Sequence, residues 1–92
     1  AFAAQVLCTL KAWNSSSFCC DRLGRSEALG NIDPDKLNVV GSSLAVGHPF
    51  AATGARILGV LAKLLAERGG KRGLISVCTA GGMGVTAILE RA

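Results

Sequence analysis

Apolar residues recur along this chain at helical intervals first and at alternating intervals last, and the change of spacing marks its elements. Phe2, Val6, Leu10 and Trp13 fall one turn apart, with Ala3 and Leu7 beside them, which predicts a helix over residues 1–13. No capping side chain precedes it, so the helix reads as cut rather than as starting there. Residues 14–17 supply capping side chains for a second, short helix through Leu23, with Gly24 as its C-cap. Residues 25–36 read as a polar connection carrying the turn signals Gly30-Asn31 and Asp33-Pro34.

Residues 37–45 read as a strand, thin at Gly41-Ser42-Ser43, where small side chains suit the close approach of another backbone or a ligand. Pro49 suits the first position of the next helix, which runs to about Arg68 and stops at Gly69-Gly70. Arg56, Lys63 and Glu67 fall on one narrow stripe of that helix, and nearly every other position is Ala, Ile, Leu, Val, Gly or Thr. So thin a polar face requires cover on more than one side. Residues 73–79 then alternate, with Leu74, Ser76 and Cys78 on one face and Ile75 and Val77 on the other. Residues 85–91 alternate likewise, and residues 80–84 join the two runs as a glycine-rich hairpin tip. The order helix-helix-strand-helix-strand-strand predicts an α/β fold, a mixed sheet packed on a buried central helix.

Composition narrows the function classes. Half of the 92 residues are apolar and 17% are charged, more apolar than a small domain's own interior needs. The chain should therefore expose apolar surface or bury it against something outside itself. The net charge of +4 is scattered, and the basic cluster from Arg68 to Arg72 is interrupted by glycines with no aromatic neighbours, which argues against nucleic acid. Four cysteines come with neither a signal peptide nor a small-loop framework, so reduced thiols fit better than disulfides. That points to bacterial cytoplasm or an organelle matrix rather than secretion. No apolar run is long enough to span a membrane.

Two residues stand out for chemistry, thirty positions apart: His48 in Gly47-His48-Pro49, and Cys78 before Thr79-Ala80-Gly81-Gly82-Met83-Gly84. A lone histidine is ordinarily a turn residue, and a lone cysteine a small buried hydrophobe. Context favours more. If Pro49 opens the helix, His48 lies at the positive end of its dipole, which favours the neutral ring that can accept a thiol proton. The glycines after Cys78 let the backbone bend and aim amides at one spot, as an oxyanion requires. Cys8, Cys19 and Cys20 lie on predicted helices without such context and read as packing residues. A zinc site built from Cys19, Cys20, His48 and Cys78 lacks any Cys-x-x-Cys pair and has irregular spacing, so no metal is expected. A phosphate loop at Gly81–Gly84 would have to lead into a helix, and a strand follows instead.

The two motifs together resemble the C-terminal end of a thiolase. Gly47-His48-Pro49 with Phe50-Ala51-Ala52-Thr53-Gly54-Ala55-Arg56, then Cys78-x-x-Gly81-Gly82-x-Gly84, carry the resemblance. Ala1-Phe2-Ala3 looks like the end of an Asn-Glu-Ala-Phe motif. The His-Pro-Phe start and Ala80-Gly81-Gly82 look most like the fatty-acid β-oxidation branch, the β subunits of trifunctional-type complexes. The resemblance implies a 3-ketoacyl-CoA acyltransferase of lipid metabolism, with acyl-CoA and CoA as substrates and no covalently bound cofactor. It implies a homo-oligomer and, in that branch, an α-subunit partner.

It also implies roles. His48 would help deprotonate a nucleophilic cysteine and, with a water, hold the thioester oxygen. Cys78 would shuttle protons to and from the acetyl-CoA carbanion and the CoA thiol. The Ala80 amide would contribute an oxyanion hole where many members have glycine, within a loop of Gly81, Gly82 and Gly84. Phe2 is the candidate for the substrate pocket. Residues 1–92 would be the C-terminal part of the C-terminal domain, with the nucleophile domain and the CoA-gripping loop domain lying outside them. In the family the helix after Gly-His-Pro is buried between two sheets, the cover that the apolar helix requires. The alternative is a non-catalytic binding or structural module of the same fold. On either reading, the isolated chain is expected to be inactive.

Overall fold

Helices α1 (Ala3–Trp13) and α2 (Ser16–Leu23) form where helical spacing predicts them and pack against each other. The computed structural model describes all residues, 1–92, and divides into two units, Ala1–Gly47 and His48–Ala92. In the first unit the local signals are backbone ones. The Ser15 hydroxyl caps α2 by accepting the amide hydrogen of Phe18 at 3.2 Å, and Gly24 ends it in the left-handed region at φ 63°. The connection then folds back, the Gly30 amide donating to the Trp13 carbonyl at 3.1 Å. Cys19 is fully buried, its Sγ within hydrogen-bonding distance of the Ala12 and Trp13 carbonyls. Cys8 and Cys20 are exposed, so of the three helical cysteines only Cys19 packs as expected.

The strand expected over residues 37–45 is absent. The Leu37 amide closes a 3-10 turn over Pro34–Lys36, Asn38 and Gly41 take left-handed φ of 49° and 77°, and a short helix α3 follows at Ser43–Val46. The Gly41 amide donates to the Asn38 carbonyl at 2.8 Å. Two left-handed residues three apart turn the chain where a strand must stay extended.

The second unit is a helix on a hairpin. Helix α4 (Thr53–Arg68) ends at Gly69, φ 70°, and the chain returns as β1 (Arg72–Thr79), then β2 (Met83–Glu90). The sheet is therefore two antiparallel strands, not mixed, while the α/β class stands. Its register pairs Arg72 with Glu90, Leu74 with Ile88, Ser76 with Thr86 and Cys78 with Gly84. Arg72 and Glu90 also pair through their side chains, Nε to Oε2 at 3.1 Å. One face of the hairpin meets α4. Gly73, Ile75 and Val77 are partly covered, and Leu74, Ser76 and Cys78 point away and are exposed. At Gly73 the approach is so close that a Cβ would run into the Leu61 side chain.

On α4 the covered apolar side chains are Ile57, Val60, Leu61, Leu64 and Leu65, with Thr53 buried at the start and Gly54 and Arg56 partly covered beside it. A second apolar stripe, Ala55, Leu58, Gly59, Ala62 and Ala66, is exposed, and Lys63 and Glu67 form an ion pair beside it at 3.7 Å. Within its own unit the helix is thus covered by the hairpin on one side. No helix is long and apolar enough to cross a membrane.

Candidate active site

His48 opens the second unit in a turn, not at the first turn of a helix. The Pro49 carbonyl accepts the amide hydrogens of Ala52 and Thr53, both at 3.2 Å, and α4 begins only at Thr53. Ala51 is the reason: at φ 65° it lies in the left-handed region, and a right-handed helix cannot run through it. Pro49 is therefore not the first helical residue, although the His48 ring still reaches Thr53, the first residue of α4.

What holds the ring is a side chain. Nδ1 of His48 lies 2.7 Å from Oγ1 of Thr53, and that hydroxyl in turn lies 3.2 Å from the Pro49 carbonyl oxygen. Thr53 is buried, at 5% exposure, while His48 is only half-covered. The Phe50 ring meets the imidazole edge-on, 5.7 Å between centroids at 77°. Neither Thr53 nor Phe50 stood out in sequence as a partner of the histidine. The available signal was that Thr53 is the single hydroxyl in the apolar run from Pro49 to Arg68.

Cys78 is the last but one residue of β1, on the face away from α4. Gly84 stands across from it and has no side chain to cover the thiol. Ala80, Gly81 and Gly82 form the hairpin tip, with Gly81 and Gly82 at φ 81° and 75°. Those values suit glycine alone without strain, which explains the glycines there. Phe2 stands at the N-cap of α1, exposed.

The packing of α4 on β1 fixes which end these residues share. Leu65 meets Gly70 and Leu61 meets Gly73, so the two elements run antiparallel. Thr53 lies eight residues before Leu61, about 12 Å along the helix. At roughly 3.3 Å per residue, the strand covers that distance between Gly73 and Val77. The His48–Thr53 pair and Cys78 therefore belong to the same end of the unit, on different sides of the strand. They are not hydrogen-bonded to each other: the ring is committed to Thr53 at one nitrogen, and the thiol is open. No three His, Cys, Asp or Glu side chains cluster closely enough to hold a metal ion.

Comparison with known proteins decides the family. Residues 1–91 match the family described as "Thiolase, C-terminal domain". The chain belongs to the thiolase family. It is 56% identical over 90 residues to a 3-ketoacyl-CoA thiolase of Aeromonas salmonicida (strain A449), 98% of this chain and 21% of that protein. The identity is 52% to one of Colwellia psychrerythraea (strain 34H / ATCC BAA-681) and 51% to one of Photorhabdus laumondii subsp. laumondii, with the same coverage. This thiolase domain thus spans about a fifth of the length of the curated relatives it matches. Its fold is a part of the thiolase-like α/β architecture.

Proposed function

We propose that this thiolase domain is the C-terminal part of an acyl-CoA acyltransferase. The enzyme cleaves a 3-ketoacyl-CoA with CoA into acetyl-CoA and a shortened acyl-CoA, or runs the reverse Claisen condensation. The observation that carries the reading is identity of 51–56% across 98% of the chain to proteins named 3-ketoacyl-CoA thiolase. The nucleophilic cysteine and the CoA-gripping loop domain belong to sequence outside these residues, and residues 1–92 form the end of the C-terminal domain. Membership of the fatty-acid-oxidation branch, a homo-oligomer and an α-subunit partner complete the proposal.

In this reading the nucleophilic thiol gives its proton to His48 and attacks the 3-keto carbon. The C2–C3 bond breaks, and the leaving acetyl-CoA carbanion takes the proton of Cys78. The incoming CoA thiol then returns a proton to the Cys78 thiolate and attacks the acyl-enzyme carbonyl. The released nucleophile recovers its proton from His48, and the cycle balances. The Ala80 amide, at the head of the Gly81-Gly82 tip, is offered to the negative oxygen of one of these steps, and Phe2 to the acyl pocket. In the whole enzyme, His48→Ala should slow acylation and Cys78→Ala should abolish both thiolysis and condensation while acylation persists in part. Stopped-flow assay with acetoacetyl-CoA and CoA separates the steps. Near-normal turnover of Cys78→Ala would end its acid–base role.

A further inference from the structure

The hydroxyl of Thr53 has one hydrogen and two neighbours. One neighbour, the Pro49 carbonyl oxygen at 3.2 Å, can only accept. If the hydroxyl hydrogen points there, the 2.7 Å contact with His48 must carry the ring's own hydrogen on Nδ1. A neutral imidazole has a single N–H, so Nε2 is then left with its lone pair. Thr53 is buried at the start of α4, on the helix face that packs against β1, and Ile57 follows on that face one turn later. The hydroxyl is thus held by the helix, and the ring is held by the hydroxyl. Phe50 closes against the same ring edge-on.

We propose that Thr53 is the positioning residue of His48: it accepts the Nδ1 hydrogen, fixes the ring, and leaves Nε2 bare to take the nucleophile's proton. Once Nε2 carries that proton, the same atom becomes a donor to the acyl oxygen, and Thr53 holds Nδ1–H throughout. The opposite tautomer, with the hydroxyl turned toward Nδ1, would put hydrogen on Nε2 and remove the base. This inference rests on the reading of His48 as the proton acceptor, and its test must separate the two.

The experiment uses the whole thiolase carrying Thr53→Val, Thr53→Ser or His48→Ala. Thr53→Val keeps the shape and removes the hydroxyl. It should lower kcat for acylation by about 10²-fold, the lower end of what a positioned base contributes, with KM for acetoacetyl-CoA nearly unchanged. Thr53→Ser should recover most of the rate. In histidine-labelled enzyme, the ¹⁵N signals lost in His48→Ala identify this residue; they should show hydrogen on Nδ1 in the neutral wild type and lose that preference in Thr53→Val. Wild-type rates in Thr53→Val, or a folded Thr53→Ser as slow as Thr53→Val, overturn the positioning role; a slow His48→Ala beside them leaves the base reading standing. A His48→Ala enzyme at full rate overturns both. Should Thr53→Val not fold, a wild-type neutral ring with its hydrogen on Nε2 overturns the proposal by itself, and hydrogen on Nδ1 with an active Thr53→Ser supports it.

Discussion

Residues 1–47 bury one side chain completely, Cys19, and are otherwise shaped by capping hydroxyls, left-handed turns and short helices. Residues 48–92 close a seam of Ile57, Val60, Leu61, Leu64 and Leu65 against a hairpin, tight enough at Gly73 to exclude a methyl group. Shape comes from backbone chemistry in the first unit and from side-chain packing in the second. Both histidine and reactive-thiol candidates lie in the packed unit. His48 is tied to that seam only through the buried Thr53, and Cys78 stands exposed on the outer face of β1.

The largest effects should therefore fall on chemistry in the second unit. His48→Ala and Cys78→Ala should each cost about 10²–10⁴-fold in whole-enzyme turnover. Cys8→Ser and Cys20→Ser, exposed on helices of the first unit, should leave turnover unchanged. Equal losses from Cys20→Ser and Cys78→Ala would erase the distinction between the units.

Next come the packing changes. Leu65→Ala should destabilise by about 2–5 kcal/mol, since Leu65 is buried and its removal leaves a cavity beside Gly70. Gly73→Val should cost about 1–3 kcal/mol through overpacking, because Leu61 must move aside. Thermal unfolding of the variants measures both. Tolerance of Gly73→Val would mean that α4 does not press on β1 there.

The same division explains what could be read in the sequence. Strands β1 and β2, the inward and outward faces around Cys78, and the thin polar stripe of α4 followed from periodicity, because one packed face imposes a regular alternation. The capping run 14–17, in which Ser15 proves to be the cap, and Gly24 announced both ends of α2, because each performs a local backbone task. The strand expected at residues 37–45 failed for a non-periodic reason. Leu37, Val39 and Val40 favour extension, yet left-handed Asn38 and Gly41 bend the path, and asparagine tolerates that region without advertising it. Gly47-His48-Pro49 and Cys78 were legible as motifs. Their supports were not: Thr53 reaches His48 only because left-handed Ala51 delays the helix, and nothing in the alternation of apolar residues marks that turn.

The isolated chain sharpens the comparison differently. With no activated nucleophile among these residues, it should show no thiolytic turnover. Leu58 and the small residues beside it on α4, with Leu74 and Ile88 on the outer hairpin face, leave apolar surface in the open. At about 25 cal/mol per Å², a few hundred Å² of such surface costs several kcal/mol, comparable with a small domain's whole stability. Sedimentation should accordingly find association. A soluble monomer turning over acetoacetyl-CoA would refute both halves of this expectation.

The smallest effect should appear at Ala51, in the turn between the two hydrogen-bonded residues His48 and Thr53. Its φ of 65° costs a residue with a Cβ about 1–2 kcal/mol. Glycine removes that cost but adds freedom to the unfolded chain, worth about 0.5–1 kcal/mol in the other direction. Ala51→Gly should therefore stabilise by about 0–1.5 kcal/mol and leave the His48–Thr53 bond in place. Ala51→Val should destabilise clearly, because a β-branched side chain fits the left-handed region worst. Paired melting curves decide it. If Val were tolerated and Gly harmful, Ala51 would not occupy the left-handed region, and the late start of α4 would need another cause.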